Sequence, residues 1–206
     1  MSKRWLAEHR SDEYHNKSKE DGFRARSAYK LLHINEKFHI FKNVRNVLDL
    51  GASPGSWLQV TLSQLKEKRT KILGVDQKKI REIEGVKQLK MDVYSDQLED
   101  EIKTYFPKGI DLLLSDLAPN TSGNKTYDAA RSVDLVNRAF EIAEKFLQPG
   151  GNLVAKLFHC PEIKELKRKF EQTFQKVQFH KPKASRQHSR EIFIIALGYK
   201  NKKNNK

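Results

Sequence analysis

The chain of 206 residues has a single cysteine, Cys160. That excludes an internal disulfide and the paired-thiol zinc motifs. Its seven histidines are scattered, and no two stand at i, i+4 spacing beside a carboxylate, so no metal site is expected. Long apolar runs are missing as well. The start, Met1-Ser-Lys-Arg-Trp-Leu6, is too charged for a secretory signal, and no later run has the length of a membrane span. A cytoplasmic protein without a membrane partner is expected. Acid is scarce: 26 Asp plus Glu stand against 40 Lys plus Arg, a net charge of +14. Such an excess favours a polyanion such as nucleic acid as partner. The length suits one domain able to bury a core without staples, and a monomer is expected.

Residues 1–22 are polar, with charges of both signs and no sustained apolar face, and read as a mobile or docking N-terminal arm. Over residues 23–41 the apolar Ala28, Leu31, Leu32, Ile34 and Phe38 recur at helical spacing. Short apolar runs follow at 44–50, 72–75, 86–89, 110–114, 151–157 and 192–197, separated mostly by amphipathic stretches of helix length, with a further strand at 174–179. Alternation of this kind predicts an α/β, doubly wound, largely parallel sheet in one domain over 23–199, leaving 200–206 as a frayed Lys/Asn-rich tail.

The first strand runs into Asp49-Leu-Gly-Ala-Ser-Pro-Gly-Ser-Trp57. An apolar strand feeding small residues into a helix brings backbone close to a ligand at the strand's carboxyl edge. A dinucleotide fingerprint would carry three glycines whose amides hold a pyrophosphate. Here there are Gly51 and Gly55, and Pro54 offers no N–H, so a diphosphate fits poorly. Asp76, twenty-one residues beyond Gly55, stands where such folds hold both hydroxyls of an adenosine ribose, and Asp92 after the third strand would face the adenine. An adenosine without phosphates and with a positive sulfonium suits a pocket furnished with carboxylates, which describes S-adenosylmethionine. Taken singly, Asp76 and Asp92 also read as turn or cap carboxylates, and Trp57 as packing.

Asp116 ends the fourth strand, directly above the cofactor crevice, in Ser115-Asp-Leu-Ala-Pro-Asn120. Lys156 is a lone cation inside the apolar run Asn152-Leu-Val-Ala-Lys-Leu-Phe158, which is costly unless a partner receives it. Glu191 heads the last strand, and Lys30 lies in the helix preceding the sheet. Arg26-Ser-Ala-Tyr-Lys-Leu31, the Asp49–Trp57 turn, the Ser115–Asn120 segment, Val154-Ala-Lys156 and Ser189-Arg-Glu191 together, and in this order, resemble the FtsJ-like ribose 2′-O-methyltransferases of ribosomal RNA. The resemblance implies a Rossmann-like, mostly parallel seven-stranded sheet of the S-adenosylmethionine-dependent type. It implies a Lys30, Asp116, Lys156, Glu191 tetrad centred on Lys156, and cofactor contacts at Gly51, Gly55, Trp57, Asp76, Asp92 and Asp116. It also implies methylation of an RNA ribose, with a uridine of large-subunit ribosomal RNA as first choice and a transfer RNA anticodon loop as alternative. The chain departs from the family at Ser53-Pro-Gly-Ser56, where Ala-Pro-Gly-Gly is common, and at His159-Cys160, where Gln-Gly is frequent.

A 2′-hydroxyl is a weak nucleophile that must be aligned with the methyl group and lose its proton as the bond forms. Lys156 serves as base only if neutral, which a nearby cation such as Lys30 would favour, or else it orients the hydroxyl while charged. Basic residues are concentrated toward the C-terminus: residues 164–190 hold nine Lys or Arg and two acids. Lys181, Lys183, Arg186 and Arg190, just before Glu191, with Arg24 and Arg26 ahead of Lys30, are the expected RNA contacts, whereas residues 164–169 also read as a solvated helix face. The competing classes are a non-catalytic RNA-binding assembly factor, against which the complete tetrad speaks, and a methyltransferase for protein or small molecules, which needs no basic C-terminal region.

Overall fold

The computed structural model describes residues 13–65, 69–186 and 188–200. Two helices open it, α1 (Glu13–Glu20) and α2 (Ala28–Phe38), followed by β1 (Asn46–Leu50), α3 (Ser56–Gln64), β2 (Lys71–Asp76), β3 (Lys87–Lys90), α4 (Leu98–Tyr105), β4 (Ile110–Ser115), α5 (Lys125–Phe146), β5 (Leu147–Phe158), α6 (Ile163–Thr173), β6 (Phe174–His180) and β7 (Glu191–Tyr199). The strands form one seven-stranded sheet in the order β3-β2-β1-β4-β5-β7-β6, with β7 antiparallel to both its neighbours and all other pairs parallel. The expected doubly wound, mostly parallel fold is therefore present.

Alternation along the central strands divides the core in two. On one face Leu48, Leu50, Leu113, Leu153 and Ala155 pack with Leu98, Phe140 and Phe170 of α4, α5 and α6. On the other Val47, Leu112, Leu114, Val154, Phe193 and Ile195 pack with Ala28, Leu31, Ile34 and Trp57 of α2 and α3. Each central strand is buried on both faces, hence the near-continuous apolar runs in the sequence. At roughly 25 cal/mol per Å² of buried apolar surface, either cluster supplies tens of kcal/mol against the chain's conformational entropy.

The helix expected over 23–41 is shorter, because residues 23–27 form turns and His39 closes it in a left-handed conformation (φ 53°). Of the two readings of the arm, mobile or docking, residues 13–20 dock. The Tyr14 ring lies 5.4 Å from Tyr29 and 5.8 Å from His33, and Ser18 is buried. The first twelve residues of the arm and the tail 201–206 lie outside the described residues.

Candidate active site

Residues of one parity on neighbouring strands share a face of the sheet, and this brings the four tetrad candidates together. Lys156 has the parity of Val154, and Glu191 that of Phe193, both on the α2 side. Phe158 pairs with Glu191 in register, so the head of antiparallel β7 meets the carboxyl end of β5. Lys156 Nζ donates to the Asp116 carbonyl at 2.6 Å and forms an ion pair with Asp116 Oδ1 at 2.8 Å. Lys30, descending from α2, holds Glu191 at 2.7 and 2.8 Å through its two oxygens. These side chains are only 11–19% exposed. Burial works to raise the Glu191 carboxyl, but the charge and hydrogen bond of Lys30, with Lys156 behind it, outweigh this and hold it below its ordinary value. The Lys30 charge is thus paired with Glu191.

A cavity of about 470 Å³ opens at the carboxyl edge of β1, β2 and β4, the size of a small-ligand site. Gly51, Asp76, Asp92 and Asp116 line it, as do Asn120 of the Ser115–Asn120 segment and Tyr94, Arg131 and Asp134, which the sequence motifs do not include. Gly51 has φ +75°, and a Cβ there would come within 2.9 Å of the Leu117 amide, so the turn closes only on glycine. Asp76 accepts from the Ser53 and Lys78 amides, one on each oxygen, and Asp92 from Tyr94 N and Gln77 Nε2. Each of these oxygens keeps a lone pair for a ligand hydroxyl or amine. Four carboxylates face two cations, Lys78 and Arg131, around this cavity, although the chain as a whole carries +14. Such a lining repels phosphate and accepts a cationic adenosine derivative, so the residues present fit S-adenosylmethionine.

Gly55 and Trp57 do not line that cavity. Gly55 (φ +108°) leaves room for Arg24, whose guanidinium donates to the carbonyls of Pro54, Arg81 and Glu82. Trp57, 2% exposed, packs on Phe193 and donates from Nε1 to the Ser27 carbonyl. Beneath the turn lies Asp49, an acid that the sequence motifs leave without a role. It is fully buried, and neither carboxyl oxygen has a partner. Burial, with Asp116 and Asp76 nearby, pushes its carboxyl well above the usual carboxylate range. The signal that singled out Lys156, a charge inside an apolar strand, is present at Asp49 too.

Residues 23–199 match the FtsJ-like methyltransferase family. The chain belongs to that family. Its chemistry is S-adenosylmethionine-dependent methylation of an RNA ribose 2′-hydroxyl, and this FtsJ-like chain is an enzyme of that class. It is 43% identical over 192 residues, 92% of this chain and 72% of the relative, to a ribosomal RNA large subunit methyltransferase E of Methanosarcina barkeri. To the protein of the same name from Legionella pneumophila strain Lens it is 40% identical over 199 residues, 96% of each. Among solved structures, a ribosomal RNA methyltransferase from Plasmodium falciparum superposes with a TM-score of 0.79 at 30% identity, covering 86% of this chain and 98% of that one.

The basic candidates of this FtsJ-like enzyme divide by their partners. Arg24 is committed to backbone carbonyls, Lys181 donates to the Ser189 carbonyl, and Arg190 joins the carbonyls of Lys125 and His159, which ties the β6–β7 loop to the start of α5 and the end of β5. Lys183 and Arg186 are exposed on that loop. No described helix is long and apolar enough to cross a membrane.

Proposed function

We propose that this enzyme methylates a ribose 2′-hydroxyl of large-subunit ribosomal RNA, a uridine being the expected nucleotide, and that it works in the cytoplasm as a monomer with Lys30, Asp116, Lys156 and Glu191 as its catalytic tetrad. The observation that carries the reading is the contact between Lys156 and Asp116, because Asp116 also walls the cavity that fits the cofactor. The names of the bacterial and archaeal relatives support the ribosomal substrate.

Bound S-adenosylmethionine supplies an electrophilic methyl group on a sulfonium. Asp76 would accept from its ribose hydroxyls and Asp92 from its adenine, with Gly51 and the turn through Gly55 and Trp57 lying beneath. An ammonium has three protons; Lys156 gives one to the Asp116 carbonyl and pairs its charge with Asp116 Oδ1. A further proton is available to hold the substrate 2′-oxygen, with Asp116 and Glu191 as acceptors close to a hydroxyl held there. This geometry supports Lys156 as the group that aligns the hydroxyl, with Lys30 and Glu191 fixing the wall beside it. Lys183 and Arg186 would meet the RNA backbone.

The decisive test is transfer of labelled methyl groups to large ribosomal subunits and to total transfer RNA in parallel, followed by mapping of the modified nucleotide. Label in a 2′-O-methylated nucleotide of the subunit RNA is expected. Label confined to transfer RNA would replace the ribosomal reading, and label in neither would leave an RNA-binding assembly factor.

A further inference from the structure

A second cavity, also about 470 Å³, opens beside the tetrad and is lined by Arg26, Lys30, Arg186, His188, Ser189 and Glu191. Three of these are permanent or near-permanent cations, and among the described lining residues only Glu191 opposes them. Two of the cations, Arg26 and Arg186, carry guanidiniums. The Arg26 guanidinium is lowered from its ordinary value first by burial and then by the charge of Arg186, while Glu191 acts in the opposite direction. A cavity walled by two guanidiniums and an ammonium favours an anionic ligand. Arg26 is also held in place before any ligand arrives. Its Nη2 donates to the Ala184 carbonyl at 2.6 Å, and its guanidinium lies 5.8 Å from the Tyr14 ring of α1. Arginine so fixed suits the two oxygens of a phosphate.

The wall shared by this cavity and the tetrad is the Lys30–Glu191 pair. In a ribonucleotide the 2′- and 3′-oxygens sit on adjacent carbons, so a 2′-hydroxyl brought to Lys156 carries its 3′-phosphate along, a few ångströms away. The 5′-phosphate hangs from the far side of the sugar. We propose that the Arg26–Arg186 cavity seats the phosphodiester on the 3′ side of the methylated ribose, so that one phosphate fixes the register of the RNA relative to Lys156. The proposal rests on the reading of the site as a 2′-O-methyltransferase. It also accounts for the docking of α1, which through Tyr14 holds Arg26 against the phosphate.

The test compares uridine 3′-monophosphate with uridine 5′-monophosphate, each titrated calorimetrically into the full chain at low salt, with inorganic phosphate as competitor. The 3′ isomer is expected to bind at least about tenfold more tightly, a gap of roughly 1.4 kcal/mol. Arg186→Gln, at an exposed position, and Arg26→Lys, which keeps the charge but not the fork, should each erase that preference. Equal binding of the two isomers, or a preference that survives both arginine substitutions, overturns the proposal. Methyl transfer to ribosomal subunits by the same preparation reports separately on the parent reading. An active enzyme without 3′ preference therefore loses only the phosphate seat.

Discussion

Two cavities of equal volume, about 470 Å³ each, meet at the tetrad, and they differ in the sign of their charge. The one under β1, β2 and β4 has four carboxylates against two cations, and the one between α2 and the β6–β7 loop has three cations against one carboxylate. Asp116 belongs to the first wall, Lys30 and Glu191 to the second, and Lys156 reaches Asp116 from between them. Under the proposed reading, a methyl donor that is cationic and an acceptor that is polyanionic are sorted by electrostatics before any shape is read. A net charge of +14 hides this division, because it sums over both walls.

Several substitutions break or sharpen that contrast. The largest effect is expected at the junction: Lys156→Ala should lower kcat by about 10²- to 10⁴-fold, the usual worth of a positioned proton-handling group, while cofactor affinity measured by calorimetry stays unchanged. Unaltered turnover would remove Lys156 from the mechanism. Next, Asp76→Asn on the acidic wall should weaken cofactor binding on the order of 10- to 100-fold, the worth of hydrogen bonds to a charged group, and leave RNA affinity alone.

On the basic side, reversing Lys183 and Arg186 to Glu should do the opposite. RNA affinity falls, cofactor affinity holds, and the slope of log affinity against log salt flattens by about 0.7 for each phosphate of a single strand that the protein no longer neutralises. If either set of substitutions moved both affinities equally, the two walls would not be separate sites. The smallest effect concerns the deepest acid. Asp49 is raised in the folded state, so in the window above its unfolded value the fold binds more protons than the unfolded chain, and stability declines as pH rises through that window. Asp49→Asn removes this dependence. Without cofactor the variant should melt a few degrees higher than the parent near pH 8, with the gain shrinking toward pH 4, as read by scanning calorimetry.

Much of this was legible in the residues. The alternation of apolar runs indicated the sheet, and Lys156 stood out because an unpaired amine in a buried strand is costly. Asp49 carried an equal anomaly, but its strand ends in a glycine turn that invites attention to backbone rather than to the acid beneath it. Trp57 was ambiguous for a similar reason: an indole at the start of α3 serves a ligand or a core, and only its packing on Phe193 and its bond to Ser27 place it in the core. The basic candidates were chosen by charge and proximity in sequence, which cannot distinguish Arg24, tied to three carbonyls, from Arg186, which faces a cavity.

Residue types and their order by themselves determined the layered fold and singled out Lys156, because periodicity and the cost of buried charge are local properties of the chain, while the four tetrad candidates came from the resemblance to the FtsJ-like family. The pairing within the tetrad, Lys30 with Glu191 and Lys156 with Asp116, and the separation of charge into two cavities were decided by tertiary structure alone. Those depend on distances between residues up to 161 positions apart, set by strand order and by the one antiparallel strand that brings Glu191 to the carboxyl end of β5.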